Sequence, residues 1–487
     1  MSAHPEKKID SIHEGSIETN DTSYDPVKEA ALTRKVDWHL LPILTLLYLL
    51  SFLDRSNVGN ASVAGLSTKV ALKSGEYNTG LALYFVGYVL FEIPANIVLK
   101  RTSPAIWLPT LTLTWAIVSV CQGLVINKAG FYAARFFLGA AEAGLFPGVV
   151  YVFSMYYTRD QRSVRVAFFF SGAALAGAFG GILAYLLSLI DGGGKPGWAW
   201  IFIVEGLITA VVSIVAYFLV PSWPQKAKFL NEEERAMLLA RLGRDADAAD
   251  LEPFTWRGVR QALTDPFAYL YALLFHGSAF TLYSISLFLP TIIKNLGFAT
   301  WKVTFFVTMG VVYLSIQTKT KAPFIVGSSF VAIIGYIILI TTHTAGAQYV
   351  GTFITVAGVY TANAMILSWP SENVSAQTKR AVVLALQISL GDLGAITGVL
   401  IYRPNLANHN YRTPHIIALG YSVLTGLTAT ALYILMARQN KLRKQLKAQN
   451  AGKEGGEDSW ADGWKGKDEI ERRRELGDRH PAWRYRL

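Results

Sequence analysis

Cysteine is almost missing from this chain: one residue of 487, Cys121, and it stands inside an apolar stretch. A single thiol can build neither a disulfide framework nor a CxxC metal site. Charge is scarce too, at 16% Asp, Glu, Lys and Arg, against roughly 25% in an ordinary soluble chain. No Ser/His/Asp arrangement, HExxH pair, phosphate-binding loop or Cys/His cluster is present. Hydrolysis and ATP-driven pumping therefore have no residues to carry them; neither enzyme activity nor a cofactor or metal is expected. The first twenty residues, MSAHPEKKIDSIHEGSIETN, lack the apolar core of a cleavable signal peptide. The first apolar helix is expected to act as its own insertion signal.

What is abundant is apolar sequence, 52% of the chain, with a mean hydropathy of +0.33. Many apolar runs come near the roughly 20 residues that a helix needs to cross a bilayer. Twelve spans are expected: 38–62, 78–99, 106–125, 129–150, 164–188, 199–220, 267–293, 303–316, 323–342, 347–368, 381–402 and 414–436. Backbone groups in hydrocarbon must be satisfied within each segment, and no segment alternates apolar and polar, so these are helices and not barrel strands. The even count puts both termini on one side. Basic residues gather in the loops on that side: Lys100 and Arg101, Arg159, Arg162 and Arg165, Lys319 and Lys321, Lys379 and Arg380. By the positive-inside rule both termini are cytoplasmic, and the net charge of +11 carries topology and implies no nucleic-acid partner.

The polar stretch 221–266 contains LNEEERAMLLARLGRD, which has helical periodicity, and it separates six spans from six. The expected architecture is an all-α integral membrane protein: a tail 1–37, a six-helix bundle 38–220, a linker 221–266, a second bundle 267–436, and a highly charged, mobile tail 437–487. Two six-helix halves around a midplane site are a transporter architecture. Abundant Trp and Tyr are explained by interfacial belts.

Ionisable residues inside the spans are few, and an uncompensated one costs roughly 2.5–3.5 kcal/mol on insertion scales. In FLDRSNVGNA, Asp54 and Arg55 are neighbours and point about 100° apart on a helix, so each needs another partner. The plain alternative is that the span ends near Ser51 and the pair is interfacial. In RFFLGAAEAGLFPG, Arg135 and Glu142 lie two turns apart on nearly one face, with Cα atoms about 10 Å apart, too far for an easy direct bond. They are either a structural pair neutralised through a third residue or a cavity-facing cation and a separate proton-binding carboxylate. Gly139, Gly144 and Gly148 allow close helix approach. Glu92 and Asn96 are i,i+4 and could bond each other; Tyr88 precedes Glu92 by one turn on the same face. Glu205 and His276 read as structural, and Asp392 is an unexplained acid. Arginine stays charged and grips carboxylates with a planar fork, while unpartnered acids in a low-dielectric cavity take up protons readily. The candidate substrate-binding residues are Arg55, Arg135, Tyr88, Tyr283, Trp369 and Asp392. The candidate proton-coupling residues are Asp54 and Glu142.

The stretches VDWHLLPILTLLYLLSFLDRSNVGNA, FVGYVLFEIPANIVLKR, ARFFLGAAEAGLFPG, WAWIFIVEG and WPSENVSAQTKRAVVLALQ together resemble the anion:cation symporter family of the major facilitator superfamily. The resemblance runs from about Val36 to Met436 and is strongest to fungal allantoate, nicotinate, pantothenate and biotin-type permeases. ELGDRHPAWRYRL near the C-terminus leans toward the nicotinate-permease-like members. The resemblance implies a major facilitator fold, a plasma-membrane location, and proton-coupled import of a small organic anion by a monomer. It places protonation and carboxylate binding on Asp54, Arg55 and Glu142, and matches Arg135 and Tyr88 to family positions. Many members have Asn where this chain has Asp392. The eighth span, VTFFVTMGVVYLSI, departs from the pattern: its fourteen residues cover about 21 Å of a core near 30 Å. A shortened helix 8 predicts weak transport, and leaves open a non-transporting membrane sensor or inactive paralogue.

Overall fold

The computed structural model describes residues 26–73, 75–190, 192–244, 256–294, 314–315, 317–318, 320–375, 377–402, 406, 411–451, 477–480 and 483–487. Among them there is no β-strand; one isolated bridge joins Gly192 and Lys195.

The first half contains α1 (Pro26–Val63), the short α2 (Leu66–Lys69), α3 (Glu76–Arg101), α4 (Pro104–Gln122), α5 (Lys128–Glu142), α6 (Leu145–Tyr156), α7 (Arg159–Ser188) and α8 (Gly197–Leu219). Two connecting helices follow, α9 (Glu232–Arg244) and α10 (Trp256–Leu263). The second half contains α11 (Pro266–Lys294), α12 (Ala322–Thr341), α13 (Ala345–Asn373), α14 (Gln377–Ile401) and α15 (Arg412–Ala451). Nine described helical stretches are long and apolar enough to cross a membrane. The expected eighth span, 303–316, lies outside the described residues except for positions 314 and 315, which are helical.

Local chemistry starts several of these helices. Ser103 accepts a hydrogen bond from the Ala105 amide, with Pro104 at the first helical position. Asn127 accepts from the Gly130 amide at the head of α5. At the head of α9, Asn231 and Glu234 cap each other's backbone amides at 2.7 and 3.0 Å, a reciprocal capping box. Lys35 also bonds Glu234 and holds its carboxyl below the usual range.

The two halves repeat one packing scheme. α1 pairs with α7 and α4 with α8; in the second half α11 pairs with α14 and α12 with α15. The halves meet along α3 and α14, α7 and α13, and α1 and α11.

Several expected limits shift. Helix α1 has 38 residues, about 57 Å, so it begins well before residue 38 and continues through Asp54 and Arg55 to Val63. The interfacial alternative for that pair is thereby excluded: both side chains are buried inside a continuous helix. The expected span 129–150 is two helices, α5 and α6, with a turn at Ala143 and Gly144. The C-terminal region was expected to be mobile beyond residue 437. Instead α15 runs to Ala451, and residues 477–480 and 483–487 return to pack against the second half.

Candidate functional site

The site is assembled where α5 crosses α3. At Gly139 an added Cβ would stand 1.8 Å from the Tyr84 carbonyl oxygen, and at Gly87 it would stand 2.2 Å from that of Phe136. Only glycine permits this approach, which brings Tyr84 and Tyr88 of α3 against Arg135 and Glu142 of α5.

Glu142 is the hub. One oxygen, Oε2, accepts from Ser51 Oγ at 3.0 Å, Arg55 Nη2 at 3.1 Å and the Tyr84 hydroxyl at 2.8 Å. Its Oε1 is buried without a hydrogen bond among the described residues. Arg55 also reaches the other half, donating from Nη1 to the Tyr283 hydroxyl of α11 at 2.6 Å. The Arg55 guanidinium lies 5.2, 5.5 and 5.6 Å from the rings of Tyr84, Tyr88 and Tyr283, distances at which cation–π attraction operates. Asp54 points away, as adjacent helical residues must. It accepts from Ser119 Oγ of α4 at 2.8 Å and from Thr209 Oγ1 of α8 at 3.2 Å.

Arg135 is fully buried, and none of its three guanidinium nitrogens makes a hydrogen bond among the described residues. Its nearest support is the Tyr84 ring, 4.9 Å away. Tyr84 therefore faces both arginines and donates to the acid between them. The sequence reading passed over Tyr84; its position one turn before Tyr88, on the same face, was the available signal. Ser51, Ser119 and Thr209 carried no signal of their own.

A central cavity of about 20 Å³ is lined by Arg55, Tyr88, Tyr283 and Asp392, with Tyr48, Ile388 and other apolar side chains. That is room for about one water molecule. The Oδ1 of Asp392 is buried without a hydrogen bond among the described residues. Of the eight candidates, Arg55, Tyr88, Tyr283 and Asp392 thus share one cavity; Glu142 contacts it through Arg55, and Arg135 sits behind Tyr84. Trp369 is not brought to the cavity. It lies near the end of α13, where its indole donates to the Arg486 carbonyl at 2.9 Å.

Hydrogen bonds join the halves toward both ends. At the end away from the chain termini, Asn78 donates to the carbonyls of Val399 and Tyr402, at 2.5 and 2.8 Å. Deeper in, Ser389 of α14 donates to Glu92 of α3 at 2.7 Å. Asn96, expected to bond the Glu92 side chain, donates instead to its backbone carbonyl, at 2.8 Å; this frees the carboxylate to face the other half. At the end carrying the termini, Arg162 donates to the Ser371 carbonyl at 2.8 Å. Glu205, read as structural, accepts from Asn57 of α1 at 2.5 Å.

Two repeated halves with a charged cavity between them have a counterpart in sequence. The profile of the Major Facilitator Superfamily matches residues 44–399. The chain belongs to the Major Facilitator Superfamily. It is 32% identical to the uncharacterized transporter C1683.12 of Schizosaccharomyces pombe over 464 residues, covering 92% of this chain and 95% of that one. It is 32% identical to the MFS-type transporter cnsO of Penicillium expansum over 441 residues, covering 85% of each. Among solved structures, the proton:xylose symporter XylE bound to 6-bromo-6-deoxy-D-glucose aligns over 82% of this chain and 95% of that one, with a TM-score of 0.60 at 14% identity. At that identity the likeness concerns fold alone. The chain has the major facilitator fold and is an integral membrane transporter of that superfamily, which indicates transport of a small molecule and not enzymatic turnover.

Proposed function

We propose that this transporter imports a small organic anion together with protons, by alternating access, with both termini in the cytoplasm and the plasma membrane as its site. The observation that carries the reading is the Arg55–Glu142 ion pair beside the cavity, 3.1 Å long and buried on both sides. A buried arginine whose counter-ion is a protonatable acid can exchange that acid for a substrate carboxylate. Protonation of Glu142 removes its charge and frees the Arg55 fork. A carboxylate entering the cavity then replaces Glu142, with Tyr283 contributed by the opposite half. Loss of the proton restores the ion pair and expels the anion. Asp54, held by Ser119 and Thr209, is the second proton-binding group, and Arg135 provides spare positive charge next to Glu142. Asp392 sets an upper limit on substrate charge by repelling a second carboxylate. Nicotinate, allantoate, pantothenate or a similar monocarboxylate fits this balance.

The test is uptake of labelled carboxylates by cells lacking their own permeases, at a series of external pH values. Uptake of at least one should rise with external acidity and collapse when a protonophore is added. Uptake insensitive to both would sink the proton-coupled reading, and uptake restricted to neutral or cationic compounds would sink the anion reading.

A further inference from the structure

Two sequence stretches that the cavity does not use meet each other in the structure: WPSEN at 369–373 and the C-terminal segment ending WRYRL. Pro370 lies inside α13. Proline has no amide hydrogen and crowds the carbonyl four residues earlier, so the ladder breaks there. That carbonyl, Ile366, is capped from α14 by the Gln387 side chain at 3.1 Å. The end of α13 beyond Pro370, residues 371–373, is therefore linked to the rest of the helix by a weakened turn.

This short end is gripped from two directions. From the first half, Arg162 donates to the Ser371 carbonyl at 2.8 Å. From the chain terminus, Arg486 forms a two-point pair with Asn373: the Arg486 amide donates to Oδ1 at 2.7 Å, and Nδ2 donates to the Arg486 carbonyl at 2.9 Å. Trp369 donates to the same carbonyl, and the Arg486 guanidinium stands 3.9 Å from Glu372, which is also paired with Lys321. The terminal segment is anchored in turn on α15, the first turn of α14 and the residue before α12. Asn440 makes a second two-point pair, with the amide and carbonyl of Tyr485 at 2.9 and 2.8 Å. Arg443 donates to the carbonyls of Asp478 and Trp483 at 2.9 and 3.1 Å and lies 4.8 Å from the Tyr485 ring. Lys379 bonds the Asp478 carboxylate at 2.7 and 2.8 Å, and the Lys321 amide donates to Leu487 at 2.5 Å.

We propose that the C-terminal residues 477–480 and 483–487 form a cytoplasmic latch. It docks on the second half and holds the end of α13 beyond Pro370 against Arg162, keeping the inner mouth of the transporter closed until it is released. The inference rests on the alternating-access reading above, but it requires no particular substrate. Backbone pairing through Asn373 and Asn440 sets the register, the Arg443–Tyr485 and Lys379–Asp478 contacts read the side chains, and the docking is reversible, since no bond in it is covalent. A rigid half that must rock around a central site gains a second control point, set by a tail that lies outside the bundle.

The experiment reads opening without using transport. In a Cys121→Ser background, Ile388→Cys places one thiol at the cavity wall. Its labelling rate by a membrane-impermeant maleimide is measured from the cytoplasmic face in inside-out vesicles. Deletion of residues 477–487 should raise the rate severalfold, and saturating synthetic peptide GDRHPAWRYRL should bring it back. The double variant Asn440→Ala, Arg443→Ala loosens the tail without touching α13 and should raise the rate as well; it serves if the deletion prevents folding, judged by monodispersity in detergent. Peptide binding to the deleted protein, followed by fluorescence anisotropy, is a readout independent of any substrate. An unchanged labelling rate in a folded variant, or a peptide that binds without slowing the labelling, would overturn the latch. So would a lowered melting temperature with unchanged labelling, which would make the tail a structural cap only.

Discussion

Glu142 gives one carboxylate oxygen to Arg55, at 3.1 Å, and keeps the other buried with no hydrogen bond among the described residues. The same Arg55 donates to Tyr283 across the boundary between the halves. One guanidinium thus serves two partners, one in each half. The fork offers these bonds from two separate nitrogens in a fixed plane, a geometry that the compact point charge of an ammonium does not reproduce. Arg55→Lys should therefore abolish uptake despite keeping the charge. Initial rates of labelled carboxylate uptake, normalised to protein at the membrane, check this; wild-type rates in the Lys variant would remove Arg55 from substrate recognition.

Glu142→Gln imitates the protonated acid. Its carbonyl oxygen can still accept from Ser51 and Tyr84, so the fold should survive. The variant should bind and exchange substrate but not concentrate it. Counterflow and net accumulation, measured side by side in proteoliposomes, separate the two. Accumulation against a gradient by this variant would place the proton elsewhere.

Arg135 is buried with no hydrogen bond on its guanidinium among the described residues. Such a charge costs stability, and replacing buried ionic groups by apolar ones of similar size is often neutral or stabilising by about 1–4 kcal/mol. Arg135→Met should keep or raise the melting temperature while eliminating uptake. A strongly lowered melting temperature would instead make Arg135 a structural residue.

The crossing of α3 and α5 predicts a graded glycine series. Gly139→Ala would drive a methyl to 1.8 Å from the Tyr84 carbonyl, against backbone that cannot yield. It should leave little folded protein. Gly148→Ala meets the side chain of Leu99 at 2.9 Å, which can turn aside, and should cost much less. Gly327→Ala in α12 meets nothing within 4 Å and should be neutral or gain up to about 1 kcal/mol in helix propensity. Thermal melts of the three variants in detergent give the order.

Asp392 lines the cavity together with Arg55. Asp392→Asn removes one negative charge from a space that receives an anion. Dicarboxylates should then compete better against a labelled monocarboxylate, by a measurable fall in their inhibition constant relative to wild type. An unchanged ranking of mono- and dicarboxylates would show that Asp392 does not set charge preference.

The helices and the residues worth asking about were legible in the sequence because the signals are local. A bilayer-length apolar run is readable one segment at a time, and a charge inside it is conspicuous. The divergence of Asp54 and Arg55 follows from helical rotation alone, and the structure sends one to Ser119 and Thr209 and the other to Glu142 and Tyr283. What no local pattern contains is which face meets which. Glycine spacing announced close packing but not that Gly139 would press on Tyr84, so Tyr84 went unremarked although it touches every charged member of the first half of the site except Asp54. Trp369 has the aromatic character of a binding residue, but its place beside Pro370 puts it under the terminal segment and out of the cavity. The tail itself looked mobile because it is charged. Glu372 and Asn373 of α13, Lys379 of α14 and Asn440 of α15 supply partners for its backbone and side chains that can be recognised only once those helices are folded together. Sequence determined the elements, since helix formation in hydrocarbon depends on each segment's own backbone; tertiary structure decided the site and the latch, since both are made of contacts between segments distant along the chain.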